Sequence, residues 1–170
     1  MDLCDLIKSR RTIRFFKQDP IDTQSLYELI DCARFAPSAA NRQPLEYVIV
    51  NDPQLNEKIF RQLAWAAYVQ PRRTPPADKR PAAYIVVLVN NELALGNFGA
   101  VDAAAAIQSI LLAAKSKNIG SCWLGSVKRD IVKDILQIPD NYTIDSVIAL
   151  GYPAESPIIE ACKDGDIKYF

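Results

Sequence analysis

The chain contains no histidine, and that absence closes several routes to catalysis. A Ser-His-Asp or Cys-His nucleophilic pair and a His-bearing zinc site are excluded. Glycine is scarce as well: six in 170 residues is about half the ordinary ~7%. No G-x-G-x-x-G occurs, which removes that dinucleotide-binding fingerprint. The stretch Gly120 to Gly125 is nearest in form to a phosphate loop, but Ser126 follows it where a Lys is required. Charge of one sign is missing too. The 20 Lys+Arg balance 20 Asp+Glu, whereas nucleic-acid binders present a strongly basic domain. The cysteines Cys4, Cys32, Cys122 and Cys162 form no C-x-x-C pair, and the N-terminal MDLCDLIKSRRTIRFF carries charges throughout. It lacks the apolar stretch of a signal sequence. These features predict reduced thiols in a cytoplasmic protein. The most apolar segment, Ala103 to Ala114, contains Gln108 and Ser109 and is too short to span a bilayer. No nucleic acid and no membrane is expected as a partner.

What is present suits one domain over 1–170, large enough to bury about 70% of the surface its unfolded chain exposes. Hydrophobic residues at 49% and charged residues at 24% are ordinary for a globular chain. Leu3, Leu6 and Ile7 predict a short amphipathic helix over 2–9. A second helix, capped by Asp22 or Thr23, carries Leu26, Leu29, Ile30 and Ala33 on one face and ends at Pro37. LEYVIVN reads as a strand. Asp52-Pro53 starts a helix with Leu55, Ile59 and Leu63 along its stripe. Residues 70–81, QPRRTPPADKRP, read as an irregular exposed loop of the kind that serves as a lid. AAYIVVLVN is a buried-strand pattern. The longest helix, over 97–117, is roughly 30 Å long. It is apolar on most of its circumference, which predicts a central core helix or a subunit interface. IGSCWLG gives a strand and turn, 127–137 a helix stopped by Pro139, and TIDSVIALGYP a last strand. This order predicts an α+β domain with a central sheet flanked by helices. It does not fix the strand order.

Two segments concentrate polar chemistry. Arg10, Arg11 and Arg14 fall within five residues, either as a solvated basic turn or as an anion clamp, since the guanidinium fork matches phosphate. The loop PSAANRQP is either a connector or a set of donors and acceptors, Ser38, Asn41 and Gln43, facing a polar heterocycle. The turn Leu124-Gly125-Ser126 offers backbone N–H groups, or else a helix N-cap at Ser126. Trp123 reads as core packing, whereas Trp65 and Tyr68 are balanced between core and stacking positions. Cys122 reads as a small buried hydrophobe.

Taken in order, SRRTIRFF (9–16), APSAANRQP (36–44), the long helix with IGSCWLG (119–125), and VIALGYP (147–153) resemble the nitroreductase family of flavin-dependent oxidoreductases. The resemblance spans about residues 3–157. It implies a mostly antiparallel sheet around a long buried helix, and an FMN-binding homodimer with two sites at the subunit interface. It also implies ping-pong transfer, in which NAD(P)H passes hydride to flavin N5 and a small-molecule acceptor such as a nitroaromatic or quinone then takes the electrons. By the same resemblance Arg10 would hold the FMN phosphate or ribityl chain, with Arg11 and Thr12 beside it, and Arg14 would lie near the pyrimidine edge. Pro37, Ser38, Ala39 and Asn41 would come from the partner subunit, and Leu124, Gly125 and Ser126 would aim backbone amides at N5 and O4. No protein side chain is implied as a catalytic group, and no metal.

Hydride transfer through a flavin needs no histidine, so the missing residue type fits this chemistry. The family pattern departs at the end of the chain. Many relatives carry a basic Lys/Arg pair there for the FMN phosphate, whereas this sequence ends KDGDIKYF, with Lys163 and Lys168 amid Asp164 and Asp166. Arg72, Arg73, Lys79 and Arg80 of the 70–81 loop are the candidate substitutes, for the FMN phosphate or for those of NAD(P)H. Two other readings stand beside the enzyme. One is a flavin-storing or flavin-sensing protein of low turnover; the other is a basic-loop interaction module without cofactor, which the flat charge balance supports poorly.

Overall fold

The computed structural model describes residues 2–66 and 73–157. Five helices and four strands alternate along them: α1 Leu3–Ser9, α2 Thr23–Arg34, β1 Leu45–Val50, α3 Pro53–Phe60, β2 Ala83–Asn90, α4 Gly99–Ser116, β3 Gly120–Leu124, α5 Arg129–Leu136 and β4 Tyr142–Gly151. The local signals explain most boundaries. Asp22 caps α2 by accepting the Ser25 N–H, and Asp52 accepts from Gln54 and Leu55 with Pro53 opening the first turn. Such caps satisfy donors that the helix itself leaves unbonded. The long helix starts at Gly99 rather than 97, because a 3-10 turn at Gly96–Phe98 precedes it and Gly96 takes φ +53. α5 starts at Arg129 with Lys128 in the capping position, so Ser126 is no helix cap. α3 ends at Phe60, and Leu63 instead bridges to Val127.

The four strands form one antiparallel sheet in the order β1-β2-β4-β3. β2 and β4 are therefore central, which is why β2 is buried along its whole length and reads as a continuous apolar run. Alternation divides the core between the two faces. Ile85, Val87, Ile148 and Leu150 pack with α2 and α4 through Leu26, Leu29, Ala106, Ile107 and Ile110. Tyr84, Val86, Val147 and Ala149 pack on the other face with Ile59, Phe60 and Val132. Trp65 joins that second layer, 5.5 Å from the Phe60 ring between centroids, so it is a core residue. Tyr68 lies outside the described residues.

Gly96–Ser116 is long and apolar enough to cross a membrane by length and composition, but here its inner face is the floor of the α2 layer. Its other flank is open: Phe98 is 52% and Val101 60% exposed, and Leu3 and Ile7 of α1 are exposed as well. Coverage on nearly all sides, expected from the composition, is not achieved by the described residues.

Trp123 corrects the core reading. It is 43% exposed. Its register partner is Ile148, which places both on the α2/α4 face, but β3 is the edge strand and the indole is left half-covered. Its N–H donates to Ser146 Oγ at 2.9 Å, a satisfied polar end that makes the open position tolerable.

Candidate functional site

The basic segment after α1 is not a free turn. Thr12 forms a parallel bridge to Ser121 of β3, the Ile13 N–H donates to Ser121 O at 2.9 Å, and Phe16 bridges Pro153 beyond β4. Glycines allow this closeness: a Cβ on Gly120 would lie 3.0 Å from three Ile13 carbons, and one on Gly151 would lie 2.8 Å from Phe16 Cβ. The arm 12–16 therefore lies along the ends of β3 and β4 with its backbone fixed at several points.

Glu155 completes the anchoring. Its Oε1 accepts the backbone N–H of Arg14 at 2.5 Å and of Phe15 at 3.1 Å, while Oε2 pairs with Arg73. The Arg73 guanidinium also lies over the Phe15 ring, 5.0 Å from its centroid. This revises the reading of the 70–81 loop. Arg73 is committed to Glu155, and Arg80 is committed to Glu57 and stacked over Phe60. Pro75 and Pro81 are buried and Ala77–Lys79 forms a 3-10 turn, so the described part of the loop is packed rather than wholly exposed. Arg72 lies outside the described residues, as do Lys163, Asp164, Asp166 and Lys168 of the terminal segment and Cys162.

Beside the arm opens a cleft of about 360 Å³, lined among others by Ser9, Arg10, Arg11, Lys115, Gly120 and Ser121. Arg10, Arg11 and Lys115 are its cationic residues and Glu155, already paired with Arg73, its acid; Arg11 is braced by donating Nη1 to Lys8 O and Arg10 O. Arg14, in the neighbouring arm, does not line this cleft; its Nε is sealed from solvent and has no partner among the described residues. A buried donor left unpaired is costly, and this one marks a position suited to an acceptor that the polypeptide does not supply.

The turn after β3 also presents donors. Leu124 is buried, Gly125 and Ser126 are exposed, and a Cβ on Gly125 would meet nothing within 4 Å. Arg129 holds the turn from below by donating Nη2 to the Gly125 and Asp145 carbonyls. Neither the Gly125 nor the Ser126 backbone N–H has a partner among the described residues. Under the sheet end, burial pushes the Cys122 thiol up to about 11, which keeps it protonated and inert. Iodoacetamide at about pH 8 is expected to alkylate Cys4 and Cys32, both exposed, and to spare Cys122 until denaturant is added. Peptide mapping by mass spectrometry reads the outcome, and native labelling of Cys122 would contradict this packing.

Of the expected site residues, Arg10 and Arg11 line this cleft, Thr12, Arg14, Leu124, Gly125 and Ser126 do not, and neither do Pro37, Ser38, Ala39 and Asn41. These last four form a separate bend between α2 and β1 with a 3-10 turn at Ala39–Asn41. Its anchor is the buried Asp102 of α4, whose Oδ1 accepts the Ala39 N–H at 2.9 Å. Sequence reasoning missed Asp102, Lys115, Ser121 and Glu155. Asp102 left one trace, a lone acid in the run AVDAAAAI. Glu155 left none, because its partners lie 82 to 141 residues away.

The donor set is one of guanidinium groups, an ammonium and backbone N–H groups. It fits a ligand rich in acceptors, with a phosphate at one end and ring carbonyls at the other, and FMN has that character.

Comparison with known proteins gives the same direction. The model of the Nitroreductase family matches residues 7–152. A protein of Archaeoglobus fulgidus named for NADH dehydrogenase/NAD(P)H nitroreductase activity is 32% identical over 156 residues, covering 88% of this chain and 84% of that one. The crystal structure of a nitroreductase family protein from Clostridium novyi NT matches at TM-score 0.78 and 27% identity, covering 94% of this chain and 89% of that one. An iodotyrosine deiodinase bound to FMN and 3-iodo-L-tyrosine shares the fold at TM-score 0.83 and 22% identity, over 99% and 98% of the two chains.

Proposed function

Since the chain belongs to the nitroreductase family, we propose that it is a cytoplasmic, FMN-dependent oxidoreductase that takes hydride from NAD(P)H and passes electrons to a nitroaromatic, quinone or similar acceptor by a ping-pong cycle. The observation that carries this reading is the cationic cleft beside the arm, where Arg10, Arg11 and Lys115 converge next to Gly120 and Ser121. When bound, FMN supplies hydride acceptance and donation at N5.

The protein's own residues have binding and electrostatic roles. Arg10 and Arg11, with Thr12 beside them, would grip the phosphate end, and Lys115 adds the charge that the terminal segment was expected to bring. Arg14 would place fixed positive charge beside the pyrimidine edge, where reduction builds up negative charge, and so favour the reduced form. The open N–H groups after Leu124, at Gly125 and Ser126, would orient the ring by its acceptors. Pro37, Ser38, Ala39 and Asn41 would complete the site from a second subunit. The exposed apolar side chains Phe98 and Val101 at the start of α4, and Leu3 and Ile7 on α1, support such a homodimer, since exposed apolar surface marks association sites.

The test is direct. Purified protein is expected to be yellow, or to become so with added FMN, and to release flavin absorbance on denaturation. Protein that stays colourless after FMN is added overturns the reading. Steady-state oxidation of NADH and NADPH with a quinone panel then checks turnover. Bound flavin that NAD(P)H reduces only slowly in stopped flow identifies a flavin-storing or flavin-sensing protein instead.

A further inference from the structure

The bend between α2 and β1 has a backbone that ordinary residues avoid. Ala40, Asn41 and Gln43 take φ values of 49, 54 and 50, and none is glycine. Left-handed conformations at such residues persist only where the surroundings over-determine them. Within the bend, Ser38 Oγ accepts the Gln43 N–H at 3.0 Å and Asn41 Oδ1 accepts from Gln43 Nε2 at 3.0 Å. Arg42 adds an exposed contact to Leu93 O at 3.3 Å. Among the described residues, the buried side chain that ties the bend to the body of the protein is Asp102, through the Ala39 N–H.

Asp102 is a poor choice for packing alone. It is 4% exposed, and its second oxygen, Oδ2, is sealed from solvent without a partner among the described residues. Its neighbours on the buried face of α4 are Ala103, Ala106 and Ile107. A half-satisfied carboxylate in that setting is costly, and an apolar side chain of similar size would pack without the cost. Its place in the first turn of α4 reduces the penalty, because the unbonded N–H groups there favour negative charge. The position thus suits an acceptor that must reach backward to a strained loop.

We propose that Asp102 is a positioning residue for the flavin site. It holds residues 38–41 in their strained bend so that the loop is already shaped to meet FMN across the subunit interface. This inference rests on the flavin reading of the preceding section.

The experiment compares wild type, Asp102→Leu and Asp102→Asn as apoproteins titrated with FMN by fluorescence quenching. Thermal unfolding and hydrogen exchange of residues 38–43 accompany each titration. Asp102→Leu keeps the volume and removes the acceptor. It is expected to weaken FMN binding by about tenfold or more, the loss expected of a bond to a charged group. Its midpoint is expected to stay unchanged or rise, while the Ala39 amide exchanges faster. Asp102→Asn keeps Oδ1 and is expected to restore both slow exchange and FMN binding. A purely packing role would lower the midpoint and leave exchange at Ala39 tied to global unfolding. Wild type that binds FMN while Asp102→Leu binds it equally well overturns the role of Asp102 alone. So does Asp102→Asn behaving like Asp102→Leu. Should Asp102→Leu not fold, Asp102→Ala carries the same comparison, and failure of both to fold while Asp102→Asn is native assigns the residue to the fold and overturns the proposal. Wild type that takes up no FMN overturns the flavin reading itself, and this role with it.

Discussion

Phe16→Ala is expected to lower folding stability by about 3–5 kcal/mol, the usual cost of emptying a buried aromatic site. Phe16 is fully buried, its N–H donates to Lys79 O at 3.0 Å, and its ring and Cβ fill the space that a side chain at Gly151 would occupy. For a chain of this size the loss corresponds to a fall in Tm on the order of 10 °C. It is a large share of the about 5–15 kcal/mol that holds a typical domain together. Phe16 also anchors the arm that bears Arg14 and continues from Arg10 at the end of α1, so FMN retention should fall along with stability. Thermal and urea unfolding read the first effect and flavin absorbance after gel filtration the second. Lys58→Ala, at an exposed position of α3, should stay within about 0.5 kcal/mol. A Phe16→Ala protein that melts with the wild type would show that the arm is not part of the core.

Arg14→Ala is expected to weaken FMN binding by one to two orders of magnitude, the equivalent of the about 1.5–3 kcal/mol of a hydrogen bond to a charged group. The fold should tolerate the change, since the arm is held there through the backbone N–H bonded to Glu155. Removal of the side chain also deletes a buried donor that has no partner. Fluorescence titration reads the affinity. A second readout separates charge from shape: loss of fixed positive charge beside the ring should shift the midpoint potential of bound flavin to more negative values, whereas Arg14→Lys should largely preserve it. Unchanged affinity and potential in Arg14→Ala would remove this residue from the proposed site.

Elements with a local cause were legible in the sequence. The β2 and β4 segments announced themselves as apolar runs because both faces of those central strands are covered. Asp22 and the Asp52-Pro53 pair set the starts of α2 and α3 through contacts within three residues. The family motifs also gave the arm, the bend and the turn as the segments of the proposed site. What escaped depended on distance in sequence. Trp123 looks like a core residue from its own strand, and only the edge position of β3 leaves it half-open. Arg73 and Arg80 look like free cations until Glu155 and Glu57 arrive from elsewhere. The anchoring carboxylates Asp102 and Glu155 meet backbone groups 63 and about 140 residues away. No periodicity records such pairings.

The fixing of the arm along β3 and β4 has a consequence for biosynthesis. Residues 13–17 bond to Lys79, Ser121, Tyr152, Ala154 and Glu155, so this segment leaves the ribosome about 140 residues ahead of the last of these partners. At about 5–20 residues per second that delay is on the order of ten seconds, during which the arginines have no backbone scaffold. Closing so long a loop is entropically slow, and truncated or stalled chains would lack the final strand that fixes the arm. The capacity to grip an anionic ligand is therefore acquired only after residues 152–155 have been made and have docked against the arm.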